Sequence, residues 1–242
     1  MPERNISTFN SDTERHGGYV YTSVDRWSTR VATERQTDEI IRLLKSNFAR
    51  SSRVADIGCG DGTYTLEIAK RFGPHSIRGI DAAEAAVDVA RQRIPDEPSE
   101  MISYEVGSIY GIQALPGETV AVLRGVLHHL DDPAAAIKQL ASQFQSVVAL
   151  EPNGYNPAMK FIEKTSTYHR EHDEKSYWPP RLNGWFESNG YTTRSQKSFG
   201  LVPYFCPVRI GKVLKAVEPW VERLPILRGV ACGGNLMLYT RR

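Results

Sequence analysis

The sequence predicts an α/β fold: a doubly wound sheet of seven strands, mostly parallel, with helices on both faces. Two observations predict it. Short apolar runs alternate along the chain with segments of helical periodicity, which is typical of strand–helix units. The first of these runs ends in a glycine-rich turn directly before a helical segment. The predicted strands cover 54–57, 76–80, 101–106, 119–123, 146–150, 191–199 and 234–239.

The glycine-rich turn also indicates the type of ligand. Glycines stand at alternate positions, Gly58, Gly60 and Gly62, where they permit positive φ angles and close approach of a ligand to the backbone. The dinucleotide fingerprint needs a glycine at the position of Thr63, and Asp56 would repel a pyrophosphate but hold an ammonium group. A ligand with an adenosine, a cationic end and no phosphate fits both facts, and S-adenosylmethionine is such a ligand.

A second acidic residue supports the prediction of a ligand that contains an adenosine. Asp81 ends the second predicted strand, 19 residues after Gly62, close to the spacing at which an acid binds ribose hydroxyls. With these residues the sequence resembles the class I, Rossmann-like S-adenosylmethionine-dependent methyltransferase family, of the small-molecule type. The matching stretches are Asp56–Gly62, Gly79–Asp81 and Leu127–Pro133. The resemblance covers about residues 30–198 and the last strand.

The resemblance implies the outline of the whole chain. In this family the last strand pairs with the sixth and runs antiparallel, and helices before the first strand cap the cofactor. Here we expect cap helices at 24–35 and 37–48. We expect an N-terminal arm and cap over 1–48, a cofactor-binding core over 49–198, a lid insertion over 199–230 and the final core strand over 231–242.

The resemblance also implies roles for individual residues around the cofactor. Asp56 and the main-chain carbonyl of Arg124 are expected at the methionine ammonium, and Asp81 at the ribose. The Arg124 side chain should point away, because a cation beside a sulfonium is unfavourable. Ser108 and Ile109 are expected at the adenine. The predicted cofactor-binding residues are Asp56, Gly58, Gly60, Asp81, Ala82, Ser108, Ile109, Arg124 and Tyr21.

Two of these assignments have open alternatives. Many family members have an aspartate near position 108, so Ser108 is a departure from the pattern. Its hydroxyl could still accept the adenine amino group, or the backbone of Ile109 could replace it. Tyr21 and Trp27 either contact the cofactor or pack the cap onto the sheet.

The sequence predicts the catalytic residues less clearly than the cofactor-binding residues. Methyl transfer to a hydroxyl requires a base, and His128 and His129 follow the fourth strand at the active edge of the sheet. A structural role in the cofactor loop is the alternative for both histidines. The predicted substrate contacts are Glu151, Asn153, Tyr168 and Tyr204.

No metal is expected. His169 and His172 lie three residues apart on a predicted helix, which is a possible metal spacing, but flanking acids make a solvated charged face the preferred interpretation. The three cysteines are far apart and odd in number, which predicts free thiols in a reducing compartment and a cytoplasmic location.

Charge and composition narrow the partners. The 242 residues carry a net charge of +2, so no large field recruits nucleic acid or an anionic membrane. No apolar run approaches about 18 residues, so no membrane span is expected. The Asn/Asp-Pro-Pro-Tyr/Phe motif of nucleic-acid methyltransferases does not follow the fourth strand. Residues 199–230, rich in proline and apolar side chains, indicate a lid over a hydrophobic small molecule or a dimer surface; the chain is expected to be a monomer or homodimer.

These observations predict an S-adenosylmethionine-dependent methyltransferase acting on a small, fairly apolar molecule, with O-methylation first and N- or C-methylation behind. A role in secondary metabolism is a further expectation. The alternatives are a non-catalytic S-adenosylmethionine-binding or interaction protein, and an NAD-dependent oxidoreductase, which Thr63 and Asp56 disfavour.

Overall fold

The computed structural model describes residues 6, 10, 11, 13, 26–96, 101–165, 175–204 and 206–242. The strands are β1 Arg53–Ile57, β2 Ser76–Asp81, β3 Ile102–Val106, β4 Glu118–Arg124, β5 Ser146–Pro152, β6 Tyr191–Phe199 and β7 Gly234–Arg241. The helices are α1 Trp27–Asn47, α2 Thr63–Arg71, α3 Glu84–Gln92, α4 Pro133–Gln143, α5 Pro157–Thr165, α6 Pro179–Ser188, α7 Val208–Arg223 and α8 Pro225–Ala231, with a 3₁₀ turn at Leu127–His129.

All seven strands form one sheet in the order β3-β2-β1-β4-β5-β7-β6. Strands β1 to β5 pair in parallel, whereas β7 is antiparallel to both of its neighbours, β5 and β6. The predicted fold class is therefore confirmed, including the antiparallel last strand. The strand order reverses between β1 and β4, so the loops after these two strands diverge and leave a crevice at the carboxyl edge of the sheet.

Helices cover both faces of the sheet, and each face has its own apolar core. One core contains residues of α1, α2 and α3, and the other contains residues of α4 and α6. Side chains alternate along each strand between the two cores. On β1, Val54 and Asp56 face α1 to α3, and Ala55 and Ile57 face α4 and α6. This alternation decides which strand-end residues can reach the crevice.

The cap region differs from its prediction. Two helices are expected at 24–35 and 37–48, but the described part is a single helix, Trp27–Asn47. The polar residues between the two expected segments do not break it. The hydroxyls of Thr33 and Thr37 each donate to the carbonyl four residues earlier, both at 2.9 Å, which satisfies these side chains inside the helix.

The segment predicted as a lid contains two helices, α7 and α8, joined at Leu224–Pro225. The division into cap, core, lid and final strand stays a prediction. Within the described residues, no helix is long and apolar enough to cross a bilayer.

A buried ion pair stabilises the fold far from the carboxyl edge, and its removal should destabilise the protein. Arg78 donates through Nε and Nη2 to both carboxylate oxygens of Glu118, at 2.9 and 2.6 Å, and both side chains are under 10% exposed. In the Arg78→Met variant the Glu118 charge stays buried without its partner. We expect a loss of about 3–5 kcal/mol in the free energy of unfolding, measured by urea denaturation.

The control is Arg91→Met, because Arg91 pairs with Asp88 in an exposed ion pair at 3.1 Å. This variant should cost about 1 kcal/mol or less. Equal losses in the two variants would mean that the Arg78–Glu118 pair does not contribute as its burial indicates.

Candidate functional site

A cleft opens at the carboxyl edge of the sheet, beyond the ends of β1 to β4. It encloses about 330 Å³, including the part open to solvent. The lining residues are Ile57, Gly58, Ile80, Asp81, Ala82, Gly107, Ser108, Ile109, Val126 and Leu130. Six of the nine predicted cofactor residues are therefore on or beside one cleft, the sixth being Gly60 through its bond to Asp81.

The turn after β1 forms the floor of the cleft. Gly58, Gly60 and Gly62 have φ angles of 74°, 55° and 75°, as the glycine spacing predicts. A side chain at Gly58 would be strained by the positive φ angle. Its Cβ would also lie 2.5 Å from a methyl carbon of Val126. The turn thus depends on glycine at these positions, and Gly58 lines the cleft with its backbone. Helix α2 begins directly after the turn, at Thr63.

Asp81 joins two of the loops that line the cleft. Its carboxylate accepts hydrogen bonds from the Gly60 amide at 2.8 Å and from the Ala83 amide at 2.9 Å. The side chain is 7% exposed, and burial raises the pKa of its carboxyl group, against the lowering effect of these amides. The same residue therefore fixes the glycine turn and presents acceptor oxygens at the cleft.

The far wall of the cleft follows β3. The Gly107 amide donates to the Asp81 carbonyl at 2.8 Å, which holds the start of this loop against β2. Ile109 is 6% exposed and belongs to the core that includes α4. Ser108 is exposed, and its hydroxyl accepts a long hydrogen bond from the Tyr110 amide, at 3.3 Å. An apolar wall beside one hydroxyl suits a flat heteroaromatic group.

Asp56 lies on the opposite face of the sheet from the cleft. Its carboxylate accepts a hydrogen bond from the Thr65 hydroxyl at 2.5 Å, and it lines a separate small cavity of about 230 Å³. Burial raises the pKa of Asp56 to about 6, with Thr65 and the nearby Arg124 acting in the opposite direction. The predicted contact of Asp56 with a ligand ammonium stays a prediction.

The Arg124 side chain runs from the end of β4 to helix α1. Its guanidinium donates to the Thr37 hydroxyl at 2.8 Å, the Thr33 carbonyl at 3.0 Å and the Gln36 side chain at 3.1 Å. It also stacks on the Tyr64 ring, 3.4 Å from the ring centroid. These contacts attach the cap helix to the strand, and Arg124 is absent from the cleft lining.

Glu151 organises the loop after β4. Its buried carboxylate accepts hydrogen bonds from the backbone amides of Val126, Leu127 and His128, at 3.0, 2.9 and 3.3 Å. One of its oxygens is also 2.8 Å from Nδ1 of His128. The imidazole of His128 is 7% exposed, and its ring contacts that of His129 at a centroid distance of 3.9 Å. Glu151 therefore sets the orientation of the His128 ring.

The remaining predicted substrate contacts are dispersed. Asn153 is fully buried and donates to the carbonyls of Gly229 and Cys232, at 2.7 and 2.9 Å. Tyr204 donates to the Gln36 side chain on α1 at 2.7 Å. Tyr21 and Tyr168 lie outside the described residues. The roles predicted for all four stay predictions.

The cleft also contains residues that the sequence reasoning missed, Val126, Leu130 and Gly107. The local sequence gives no signal for them, because their place depends on how the loops after β3 and β4 meet. The contact between Gly58 and Val126 is visible only in three dimensions. Among the residues that the structure describes, no group of three or more His, Cys, Asp or Glu side chains is placed to hold a metal ion. His169 and His172 are not in that part of the chain.

The raised pKa of Asp56 predicts a pH-dependent stability. A carboxyl group with a pKa of about 6 in the folded chain and 3.8 as its ordinary value binds its proton more tightly when folded. Its contribution to stability is therefore full below pH 3.8 and is lost as the pH rises towards 6. The stability of the natural protein relative to Asp56→Asn should fall across this window, by at most about 1.4 kcal/mol per pH unit.

Urea denaturation of both proteins at several pH values measures this difference. Asp81 also has a raised pKa, and its charge contributes to the raised pKa of Asp56, so the difference between the two proteins includes this coupling. A stability difference that does not change between pH 4 and pH 6 would contradict the prediction.

A family model described as "Methyltransferase domain" matches residues 54–149, which run from β1 to β5. Among curated proteins, the ubiquinone biosynthesis O-methyltransferase of Aeromonas salmonicida is 25% identical over 184 residues, covering 69% of this chain and 74% of that protein. Several other curated matches are shorter, and the chain spans only 22% to 50% of the length of three of those relatives.

Solved structures match over nearly the whole chain. Magnesium protoporphyrin IX methyltransferase from Synechocystis PCC 6803, solved with S-adenosylhomocysteine, has a TM-score of 0.70 at 14% identity, covering 98% of this chain and 95% of that one. Geranyl diphosphate C-methyltransferase from Streptomyces coelicolor has a TM-score of 0.68 at 12% identity and covers essentially all of both chains. At these identities the likeness concerns the fold. The chain thus matches a methyltransferase-domain model from β1 to β5 and has the class I, Rossmann-like methyltransferase fold, so that the resemblance of its sequence to that class is confirmed.

Proposed function

We propose that this protein is an S-adenosylmethionine-dependent methyltransferase that acts on a small, fairly apolar molecule. The observation that carries the proposal is the cleft itself, in which the glycine turn after β1 faces the carboxylate at the end of β2. An exposed backbone beside an acid is suited to a ribose, whose hydroxyls donate to a carboxylate.

The residues of the cleft fit the cofactor. Gly58 lines the cleft with its backbone, and Asp81 offers acceptor oxygens to the ribose hydroxyls. Ile109 and Ala82 supply apolar surface for the adenine, with the Ser108 hydroxyl at its edge. When bound, the cofactor supplies a methyl group on a good sulfonium leaving group, so the chain has to align the acceptor, exclude water and remove a proton where the acceptor is a hydroxyl.

His128 is the candidate base. Glu151 holds its Nδ1 at 2.8 Å, which favours a proton on Nδ1 and leaves Nε2 as the acceptor nitrogen. The arrangement matches the general pattern of a base oriented by a third group. This contact with Glu151 is why the orientation argument favours His128 over His129. This support makes O-methylation the first choice of reaction, with N- or C-methylation behind it.

The nature of the acceptor follows from the segment after β6 and from the relatives. Residues 199–230 carry many apolar side chains, which supports an apolar small molecule over a nucleic acid. One similar protein is named as an O-methyltransferase and another as a C-methyltransferase. A monomer or homodimer in the cytoplasm, with a role in secondary metabolism, completes the proposal.

Experiment can distinguish the proposed function from two alternative functions. An NAD-dependent oxidoreductase would bind NAD in this cleft, and a non-catalytic protein would bind the cofactor without turnover. The threonine at 63, where the dinucleotide fingerprint needs a glycine, disfavours a pyrophosphate at the turn.

Calorimetric titration with S-adenosylhomocysteine, and with NAD in a parallel cell, tests the cofactor site. We expect micromolar binding of the first ligand and none of the second. In Asp81→Asn the affinity for S-adenosylhomocysteine should fall more than tenfold, because one charged acceptor for the ribose is lost. The fold should survive, since an asparagine oxygen can still accept one of the two backbone bonds.

The matched control is Asp88→Asn on helix α3, an exposed carboxylate outside the cleft lining. This variant should bind as the natural protein does, and circular dichroism checks the folding of both. An unchanged affinity in Asp81→Asn would mean that the ribose lies elsewhere, and binding of NAD alone would favour the oxidoreductase.

The base is tested once an acceptor has been found by screening for formation of S-adenosylhomocysteine. With a hydroxyl acceptor, His128→Ala should lower kcat by about 10²-fold or more, while His129→Ala has a smaller effect. Cofactor affinity should be unchanged in both variants. Equal, small losses in the two variants would leave only a structural role for these histidines.

A further inference from the structure

Helices α7 and α8 present an apolar stripe to the outside of the molecule. Its members on α7 recur at intervals of three and four residues, so they lie along one face of that helix, and exposed apolar residues continue through Leu224 into α8. All of them are more than 40% exposed, and Trp220 at the middle is 67% exposed. The stripe consists of Ile210, Val213, Val217, Trp220, Leu224 and Leu227. Ile226, at 82%, extends it on α8.

The stripe is not the core-facing side of the helix. The opposite side of α7 carries the residues that contact the domain, Gly211 and Glu218, which are both buried. A Cβ on Gly211 would lie 2.7 Å from the Trp27 ring of helix α1, so this side of α7 is closely fitted to the cap helix. The exposed stripe is therefore additional apolar surface, and contiguous exposed surface of this kind marks an interaction site.

The exposed charged residues around the stripe are all basic. Arg209, Lys212 and Arg223 are exposed, whereas the two acids of α7 are turned towards the domain. Glu218 is 5% exposed and accepts from the Leu201 amide at 3.0 Å. Glu222 accepts from the Gly200 amide at 3.0 Å and pairs with the Arg35 guanidinium at 2.7 Å.

The hairpin is held firmly on the domain. Besides the contacts of Glu218 and Glu222, the carbonyls at its end accept hydrogen bonds from the loop after β5. Asn153 donates to the Gly229 carbonyl at 2.7 Å, and Asn156 donates to the Ala231 carbonyl at 2.9 Å. The stripe is thus presented on a fixed support beside the carboxyl edge of the sheet.

We propose that the α7–α8 hairpin docks on an anionic lipid surface, with the apolar stripe at the level of the headgroups and the basic residues at the lipid phosphates. An amphipathic helix with tryptophan and leucine on one side and lysine and arginine beside them is the chemistry that binds such a surface. Tryptophan at the centre of the stripe suits the interface, where one part of the ring is apolar and the other is hydrated.

A second copy of the chain is the other occupant to consider, and the charges disfavour it. A two-fold contact through the stripe places the same basic residues of both copies along one interface. Within the described hairpin, both acids that could compensate them are already bonded inside their own domain. An anionic surface pairs with Arg209, Lys212 and Arg223 without such repulsion.

The surface of the hairpin is more positively charged than the net charge of the whole chain indicates. A net charge of +2 predicts no large field for an anionic membrane, but the average conceals how the charges are distributed. On the hairpin both acids are bonded towards the domain, whereas Arg209, Lys212 and Arg223 are exposed, so the local field is positive. Docking on a bilayer is distinct from spanning it and needs no long apolar helix.

Cosedimentation of the full chain with vesicles tests the proposal. The vesicles contain phosphatidylcholine alone or phosphatidylcholine with roughly 30% phosphatidylglycerol, an anionic lipid that gives the vesicle a negative surface potential. We expect binding to the anionic vesicles, weakened at least tenfold by Trp220→Asp and by the double substitution Arg209→Glu with Lys212→Glu. High salt should weaken binding of the natural protein.

The control is Leu115→Asp, because Leu115 is 49% exposed in the loop before β4 and outside the hairpin. It should bind as the natural protein does, and circular dichroism verifies that all variants are folded. No binding of the natural protein to anionic vesicles, or equal binding by Trp220→Asp, overturns the proposal. A dimer in light scattering that Trp220→Asp dissociates, without vesicle binding, assigns the stripe to a second copy instead.

Discussion

The loops at the carboxyl edge of the sheet are held in place by buried carboxylates that accept hydrogen bonds from backbone amides. Asp81 ends β2 and binds the amides of Gly60 and Ala83, which fixes the glycine turn against the neighbouring strand. Glu151 lies one residue before the end of β5 and accepts hydrogen bonds from three successive amides of the loop after β4. Loops at this edge have amides without strand partners, and an unpaired buried amide is costly. The acids satisfy these groups, and in doing so they position the walls of the cleft and the His128 ring.

The parts of this arrangement that are local in sequence could be predicted. Gly58, Gly60 and Gly62 lie within five residues, and their alternate spacing before a helix indicates a turn with positive φ. Asp81 follows an apolar run at a characteristic distance. The Glu151–His128 contact could not be predicted in the same way, because it depends on the pairing of β4 with β5 and on the loop conformation between them. The sequence indicates only that both residues follow strands at the same edge.

Helix α1 and the α7–α8 hairpin show the same limit of prediction from sequence. Helix α1 continues through its threonines, whose hydroxyls bond to carbonyls one turn earlier, and composition alone does not reveal this. The sequence of 199–230 predicts a lid or a dimer surface from apolar content. Only the structure separates the buried side of α7 from the exposed one and shows that its acids are on the buried side. If the hairpin docks on lipid, an apolar acceptor would reach a cleft that lies at the same edge of the sheet as the hairpin's attachment.

The central claim is that the cleft at the ends of β1 to β4 holds the adenosine of the cofactor. A crystal structure of the full chain with S-adenosylhomocysteine tests it most directly. The account predicts the ribose hydroxyls within hydrogen-bonding distance of the Asp81 carboxylate and the adenine between Ile109 and Ala82. A nucleoside bound elsewhere, with Asp81 contacting only the backbone, would contradict the account and leave the acid with a structural role alone.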